Sequence, residues 1–155
     1  VFACYIGQIL AAEVSLLLFR KQGTQSFLGS KGGSLPDEIF ARGHLEVINL
    51  TVNPQVSLSD FFVPLLKHII RIGFQSGLES IVMEAENDLF DVLARLGFES
   101  LSQQDGFSAL VEGKKTKIHL MNLPISKVLD KDGQAQHSRI WKQVYLDLYD
   151  FLHNR

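Results

Sequence analysis

A single carboxylate set in an apolar segment is the first residue of this sequence placed to do chemistry. Glu46 stands in Leu45-Glu46-Val47-Ile48-Asn49-Leu50-Thr51-Val52, where Leu45, Val47, Ile48, Leu50 and Val52 are apolar. A glutamate turned into a sheet is costly unless it is paired or solvated. A place beside a cleft relieves that cost, and there the carboxylate can take a proton directly or through water. The alternative is an ordinary strand-end glutamate at the surface. A second group is Ser57, Leu58, Ser59 and Asp60, at the start of a segment with helical periodicity. Ser and Asp cap helices by accepting hydrogen bonds from first-turn amides. The same amides, with the helix dipole, can hold a phosphate, although the charge of Asp60 would repel one.

The other reactive residue types carry less. Cys4 lies among apolar strand formers with no histidine close in sequence, which reads as an inert buried thiol. His44, His68, His119, His137 and His153 show no pair at the spacing of metal ligands, so no metal site is expected. His44 precedes the strand of Glu46 and could stand at a cleft mouth. The aromatic set is lopsided, with 11 Phe against 3 Tyr and 1 Trp. Helical spacing makes most of these core residues, while Phe61, Phe90 and their like would also suit a pocket for a flexible apolar chain.

The elements that must position these groups follow from periodicity. Phe2 to Tyr5 and Ile9 to Phe19 read as two strands turning at Gly7-Gln8. A long loop punctuated by glycines runs from Gly23 to Gly43, with a short helical turn at Pro36 to Phe40. His44 to Val52 is the next strand, stopped by Asn53-Pro54. Ser59 or Asp60 then caps a long helix whose stripe is Phe61, Phe62, Leu65, Leu66, Ile69, Ile70 and Phe74, closed near Gly77. Pro64 is tolerated near its first turn. Leu78 to Ala85 is a strand, giving a βαβ unit with parallel pairing. Asn87 or Asp88 caps a helix ending at Gly97. A hairpin from Gly106 to Leu123 turns at Gly113-Lys114, and Ser138 caps a final helix bearing Ile140, Trp141, Val144, Tyr145, Leu148 and Leu152.

Length and composition set the bounds. The 155 residues suit one domain, spanning 1–155, and 46% hydrophobic content is enough for a buried core. A net charge of −2 gives no basic stripe for nucleic acid. No apolar run is long enough to span a bilayer. One cysteine precludes a disulfide framework, which points to a reducing, cytoplasmic compartment. The first residues, Val1-Phe2-Ala3-Cys4-Tyr5, lead without a methionine straight into a strand, so a preceding segment is expected.

Two stretches carry a resemblance. Leu45 to Pro54 is a strand ending Val52-Asn53-Pro54 before a helix, and Asn87 to Ser100 is a helix ending Leu96-Gly97-Phe98-Glu99. With the order hairpin, loop, strand, helix, strand, helix, hairpin, the chain resembles the GNAT superfamily of N-acyltransferases. The resemblance implies an α/β domain with a central mixed sheet flanked by helices. Ordinary members carry a glycine loop that holds the pyrophosphate of coenzyme A. Here Asn53 to Asp60 has no glycine, and Leu93 stands where those members often place a tyrosine acid.

In lacking that loop the chain is similar to the acyl-homoserine-lactone (autoinducer) synthases and N-acyl amino acid synthases. Their strand reads Glu-x-x-Arg-Phe-x-Val, against Glu46-Val47-Ile48-Asn49-Leu50-Thr51-Val52 here. Leu16 to Arg20 and Leu35 to Phe40 also resemble those families. The resemblance implies transfer of a medium or long acyl chain from acyl carrier protein to the amine of an amino-acid-derived acceptor, with no tightly bound cofactor. Glu46 would relay the proton, backbone N–H groups of Leu50, Thr51 and Val52 would hold the oxyanion, and the Ser57 to Asp60 helix start would face the phosphopantetheine arm. Asn49, in place of Arg, would meet the acceptor, with Phe61 and Phe90 beside the acyl chain. Acyl-CoA as donor, and a non-catalytic module that binds lipid or protein, are the alternatives.

Overall fold

The computed structural model describes residues 1–19, 37–101, 107–111, 113–130 and 139–153. Most of the glycine-rich loop, the Leu35-Pro36 part of the resemblance, Arg20, Gly106, Glu112 and Ser138 lie outside the described residues. The chain begins with β1 (Phe2–Ile6) and β2 (Ile9–Phe19), an antiparallel hairpin whose turn uses Gly7 at φ 60°. The short helix α1 (Asp37–Arg42) leads into β3 (His44–Val52). Helix α2 (Leu58–Gln75) crosses to β4 (Ser80–Glu86), and α3 (Asn87–Arg95) follows. The two-residue β5 (Glu99–Ser100), the hairpin β6 (Phe107–Val111) and β7 (Lys114–Pro124), α4 (Ile125–Leu129) and α5 (Arg139–His153) complete the order.

All seven strands form one mixed sheet in the order β1-β2-β3-β4-β7-β5, with β6 also on β7. Among the described residues only β3 and β4 pair in parallel; the other pairings are antiparallel. Helix α2 joins those parallel neighbours because an antiparallel turn cannot. It forms as its stripe requires. Phe61, Phe62, Leu65, Leu66, Ile69 and Ile70 are all buried, while Lys67 and Arg71 are only partly so. Each such apolar side chain contributes about 1.5–3 kcal/mol of burial before entropy is counted.

Several ends differ from the sequence reading. The cap of α2 is Ser57, with extended backbone at φ −71° and ψ 135°, not Ser59 or Asp60. The reason lies upstream, where Asn53 turns the chain early. Pro64 sits in the second turn, so its ring removes a bond to the Asp60 carbonyl; Asp60 is exposed and water can replace it. Helix α3 is capped at Glu86, one residue before Asn87. Strand β4 starts at Ser80 rather than Leu78. β5 and α4 went unread because two and five residues are too few to show a period.

The main core joins one face of the sheet to α2, α3 and α5, and a smaller cluster of Ile39, Val82 and Leu120 sits on the other face, under α1. Helix α5 is fastened by polar contacts. Lys67 Nζ donates to both carboxylate oxygens of Asp147 at 2.8 and 2.9 Å. Burial pushes the Asp147 carboxyl up, but the hydrogen bond and charge of Lys67 outweigh it and hold the group below its ordinary value. Deeper in, the buried Tyr145 hydroxyl donates to the Leu96 carbonyl at 2.8 Å, and burial pushes its phenol well above the ordinary range. Removing this donor leaves a buried carbonyl wanting. Tyr145→Phe is therefore expected to lower stability by about 1–3 kcal/mol, read as a lower urea midpoint at unchanged slope.

Candidate active site

The two parallel strands part company half way along. β3 and β4 pair only from His44↔Ser80 to Val47↔Met83. Beyond that point each keeps its outer neighbour. β3 stays on β2 as far as Val52↔Ala12, and β4 stays on β7 as far as Glu86↔Ile118. The fork starts at a bulge. The register steps from Leu16↔Val47 to Ser15↔Asn49, leaving Ile48 as the extra residue. A bulge bends its strand and adds twist, which swings the end of β3 away from β4. It also resets the alternation, so that Leu45 and Val47 before it and Leu50 and Val52 after it all pack on the main core. Between the strands opens a cleft of about 890 Å³, walled by β3 from Val47 to Leu50 and by β4 from Met83 to Glu86.

The fork leaves peptide groups without a neighbour. The Asn53 N–H donates to the Ala11 carbonyl at 2.8 Å, continuing the β2 ladder by one residue. N–H groups alternate sides along a strand. Thr51 and Asn49 therefore face β2, whereas Leu50 and Val52 aim their N–H groups at the cleft, where β4 has departed. Leu50 and Val52 line the cleft; Thr51, partnered with Glu13, does not. Amides fixed in this way are ready donors for a developing oxyanion.

Two glutamates share the face of the sheet that carries α1. Glu46 is fully buried in the zipped part of the strands, with Oε1 2.9 Å from His44 Nε2. His44 in turn stacks on Phe19, ring centres 4.8 Å apart and planes 7° apart. Glu46 pairs in register with Val82, so Glu84, two residues on, lies diagonal to it on the same face. Glu84 is half-buried and on the cleft wall; Glu46 is not on it.

No protein-family model matches the chain, and no curated protein matches it. Solved structures do. FeeM, an N-acyl amino acid synthase from uncultured soil microbes, superposes with a TM-score of 0.55 at 11% identity, over 81% of this chain and 71% of that one. NAA60 of Arabidopsis thaliana, solved with acetyl-CoA, gives 0.54 at 13% identity, over 76% and 66%. The ribosomal-protein-S18-alanine N-acetyltransferase of Escherichia coli gives 0.51 at 17% identity, over 78% of this chain and 65% of its own length. The chain has the GNAT fold.

Within that fold, the turn after the forked strand is where ordinary GNAT enzymes keep their glycine loop. Here Asn53 occupies it differently. Its Oδ1 accepts from the Gln55 N–H at 2.9 Å, its carbonyl accepts from the Val56 N–H at 3.0 Å, and its Nδ2 donates to the Leu10 carbonyl at 2.9 Å. This is an Asx turn, and it consumes the amides that would otherwise face a phosphate. The amides of Leu58 and Ser59 follow at the helix start, where no intrahelical acceptor exists. Ser57 makes no side-chain cap bond; its hydroxyl meets that of Ser59 at 2.8 Å, and Ser59 donates to Asp60 at 3.3 Å. Leu58 lines the cleft, whereas Ser57, Ser59 and Asp60 are not on its wall.

The remaining sequence candidates divide. Asn49 is exposed and on the cleft wall. Phe61 is sealed in the main core at 1% exposure, and Phe90 packs on His119 with ring centres 4.2 Å apart, so neither lines the cleft. Leu93 is fully buried. Sequence reasoning passed over Glu84, Glu86 and Asp88, which give the β4 side of the cleft an acidic wall. The one available signal was Glu84 itself, a charge inside the apolar run Ile81-Val82-Met83-Glu84-Ala85.

Proposed function

We propose that this chain is an N-acyltransferase that moves a medium or long acyl chain from a phosphopantetheine thioester on acyl carrier protein to the amine of an amino acid or a derivative of one. The observation that carries the reading is the fork, which turns the Leu50 and Val52 amides toward an open cleft. The amine attacks the thioester carbonyl and a C–N bond forms. The oxyanion is held by those amides. Glu84, on the wall, takes the proton lost by the amine, with Glu46 and His44 behind it as the next station of the relay. The C–S bond breaks, and the departing thiolate takes a proton from solvent. Asn49 meets the acceptor, and Leu50, Val52, Leu58 and Leu89 supply the apolar wall for the acyl chain.

Charge favours the carrier-borne donor. A carrier-borne arm brings a single phosphodiester, which the Leu58 and Ser59 amides suit. Coenzyme A brings a pyrophosphate and a further phosphate, to be met by an Asx turn with spent amides and by the acidic wall of Glu84, Glu86 and Asp88. The single cysteine fits a reducing, cytoplasmic setting for such a partner. Among the described residues no helix is long and apolar enough to cross a membrane.

The test is donor competition. The chain is incubated with an amino-acid mixture and either decanoyl-acyl carrier protein or decanoyl-CoA, and acylated amines are followed by mass spectrometry. The carrier-borne donor is expected to be used at least tenfold faster. Equal or faster use of decanoyl-CoA overturns the donor assignment. No acylated amine from either, with the protein folded by circular dichroism, overturns the catalytic reading in favour of a binding module.

A further inference from the structure

A second cavity, of about 500 Å³, opens at the opposite end of β4 from the fork. The cleft lies along Met83 to Glu86, whereas this cavity begins at Ser80, the first residue of the strand. Ile39 of α1, Phe74 of α2, Leu101 and Leu129 supply apolar walls. Its volume is that of a small-molecule pocket, and a few polar groups among apolar walls are what fix a ligand's orientation.

Two polar side chains mark it. Asn122 is 6% exposed, and its carboxamide oxygen is sealed from water with no hydrogen-bond partner among the described residues. Buried polar groups are nearly always bonded, so an orphaned carboxamide on a cavity wall asks for a partner. Turned about its last torsion, it offers the cavity either a donor or an acceptor, the pattern that an amide group satisfies. Arg42, at the last turn of α1, is exposed on the same cavity and makes no ion pair among the described residues. Of the carboxylates at the rim, Glu99 is already paired with Lys127; Glu79 stands beside them.

We infer that this cavity binds an acylated amino acid. The acyl chain lies on Ile39, Phe74, Leu101 and Leu129, the amide pairs with the Asn122 carboxamide, and the carboxylate meets the Arg42 guanidinium. Such a ligand belongs to the product class of the reaction proposed above, and that link rests on the proposed reaction; the binding chemistry does not. Ile39 also packs on Val82 and Leu120, the register partners of Glu46 and Glu84, so an occupied cavity touches the same face of the sheet that bears the proposed relay.

The experiment is calorimetry with N-decanoylglycine, with decanoate as the arm lacking the amide, on the wild type, Asn122→Leu and Arg42→Gln, together with amide chemical shifts on the wild type. Saturable binding is expected, about tenfold weaker for decanoate and for each variant, with shifts at Gly77, Leu101 and Leu129. Arg42 is exposed, so its variant keeps the fold if Asn122→Leu does not. No saturable binding up to millimolar ligand, binding unchanged in Arg42→Gln, or shifts confined to Leu50 and Leu89 in the cleft would overturn the assignment. None of these readouts depends on turnover, so an inactive chain that binds N-decanoylglycine here removes the proposed reaction and leaves the site.

Discussion

Leu50→Pro is expected to fold and to lose acyl transfer by about 10²–10³-fold in kcat, the usual cost of one oxyanion donor. The position allows the substitution for a reason that can be checked. Proline is tolerated in strands where its missing N–H would face no neighbour, and the Leu50 N–H aims at the gap that β4 vacates after Met83. Thr51, one residue on, pairs with Glu13 and aims its N–H at β2. Thr51→Pro is therefore expected to break the ladder and lower stability. Leu50→Ala separates the roles of amide and side chain. It keeps the donor and loses only part of an apolar wall, so its kcat should stay within about tenfold of wild type. Thermal unfolding of all three variants, alongside single-turnover rates, decides the matter. If Leu50→Pro is folded and as active as Leu50→Ala, this amide holds no oxyanion.

The same fork shows where reading a sequence stops. β3 and α2 were legible because local periodicity specifies each of them. Alternation marks His44 to Val52, and a stripe at i, i+1, i+4 and i+5 marks Phe61 to Ile70. The bulge at Ile48 has no such local mark. It exists because β2 and β3 keep one register below Leu16 and another above Ser15, a property of two strands distant in sequence rather than of either alone. The cap of α2 moved to Ser57 for a related reason. The sequence shows three capping residues in a row of four, and only the Asn53 side chain, reaching Leu10 and Gln55, selects among them. The Asn122 cavity was unreadable altogether, since α1, the end of α2, β7 and α4 meet there only in space. Thr51 and Phe61 lie off the cleft wall for a converse reason. Each sits at a position that proximity in sequence favours, and strand alternation turns the first toward β2 while helical phase turns the second into the core.

Glu84→Gln is expected to lower kcat by about 10²–10⁴-fold, the range for losing a positioned proton acceptor, with little change in KM. Gln keeps the shape and the hydrogen-bonding reach of Glu but cannot hold the amine's proton. Glu46→Gln discriminates the two carboxylates. Glu46 is fully buried against His44 and off the cleft wall, so a change in it is felt first by the fold. The Glu46 change should lower the unfolding midpoint and reduce kcat by less than the Glu84 change. If the two residues act in series, the double variant will be no slower than Glu84→Gln alone, because a relay cut at its first station gains nothing from a second cut. Additive losses would mean that they act separately. A Glu84→Gln chain with wild-type kcat, or one rescued in rate only by raising acceptor concentration, would return Glu84 to the role of a binding carboxylate and leave Glu46 and His44 as a structural pair beneath the fork.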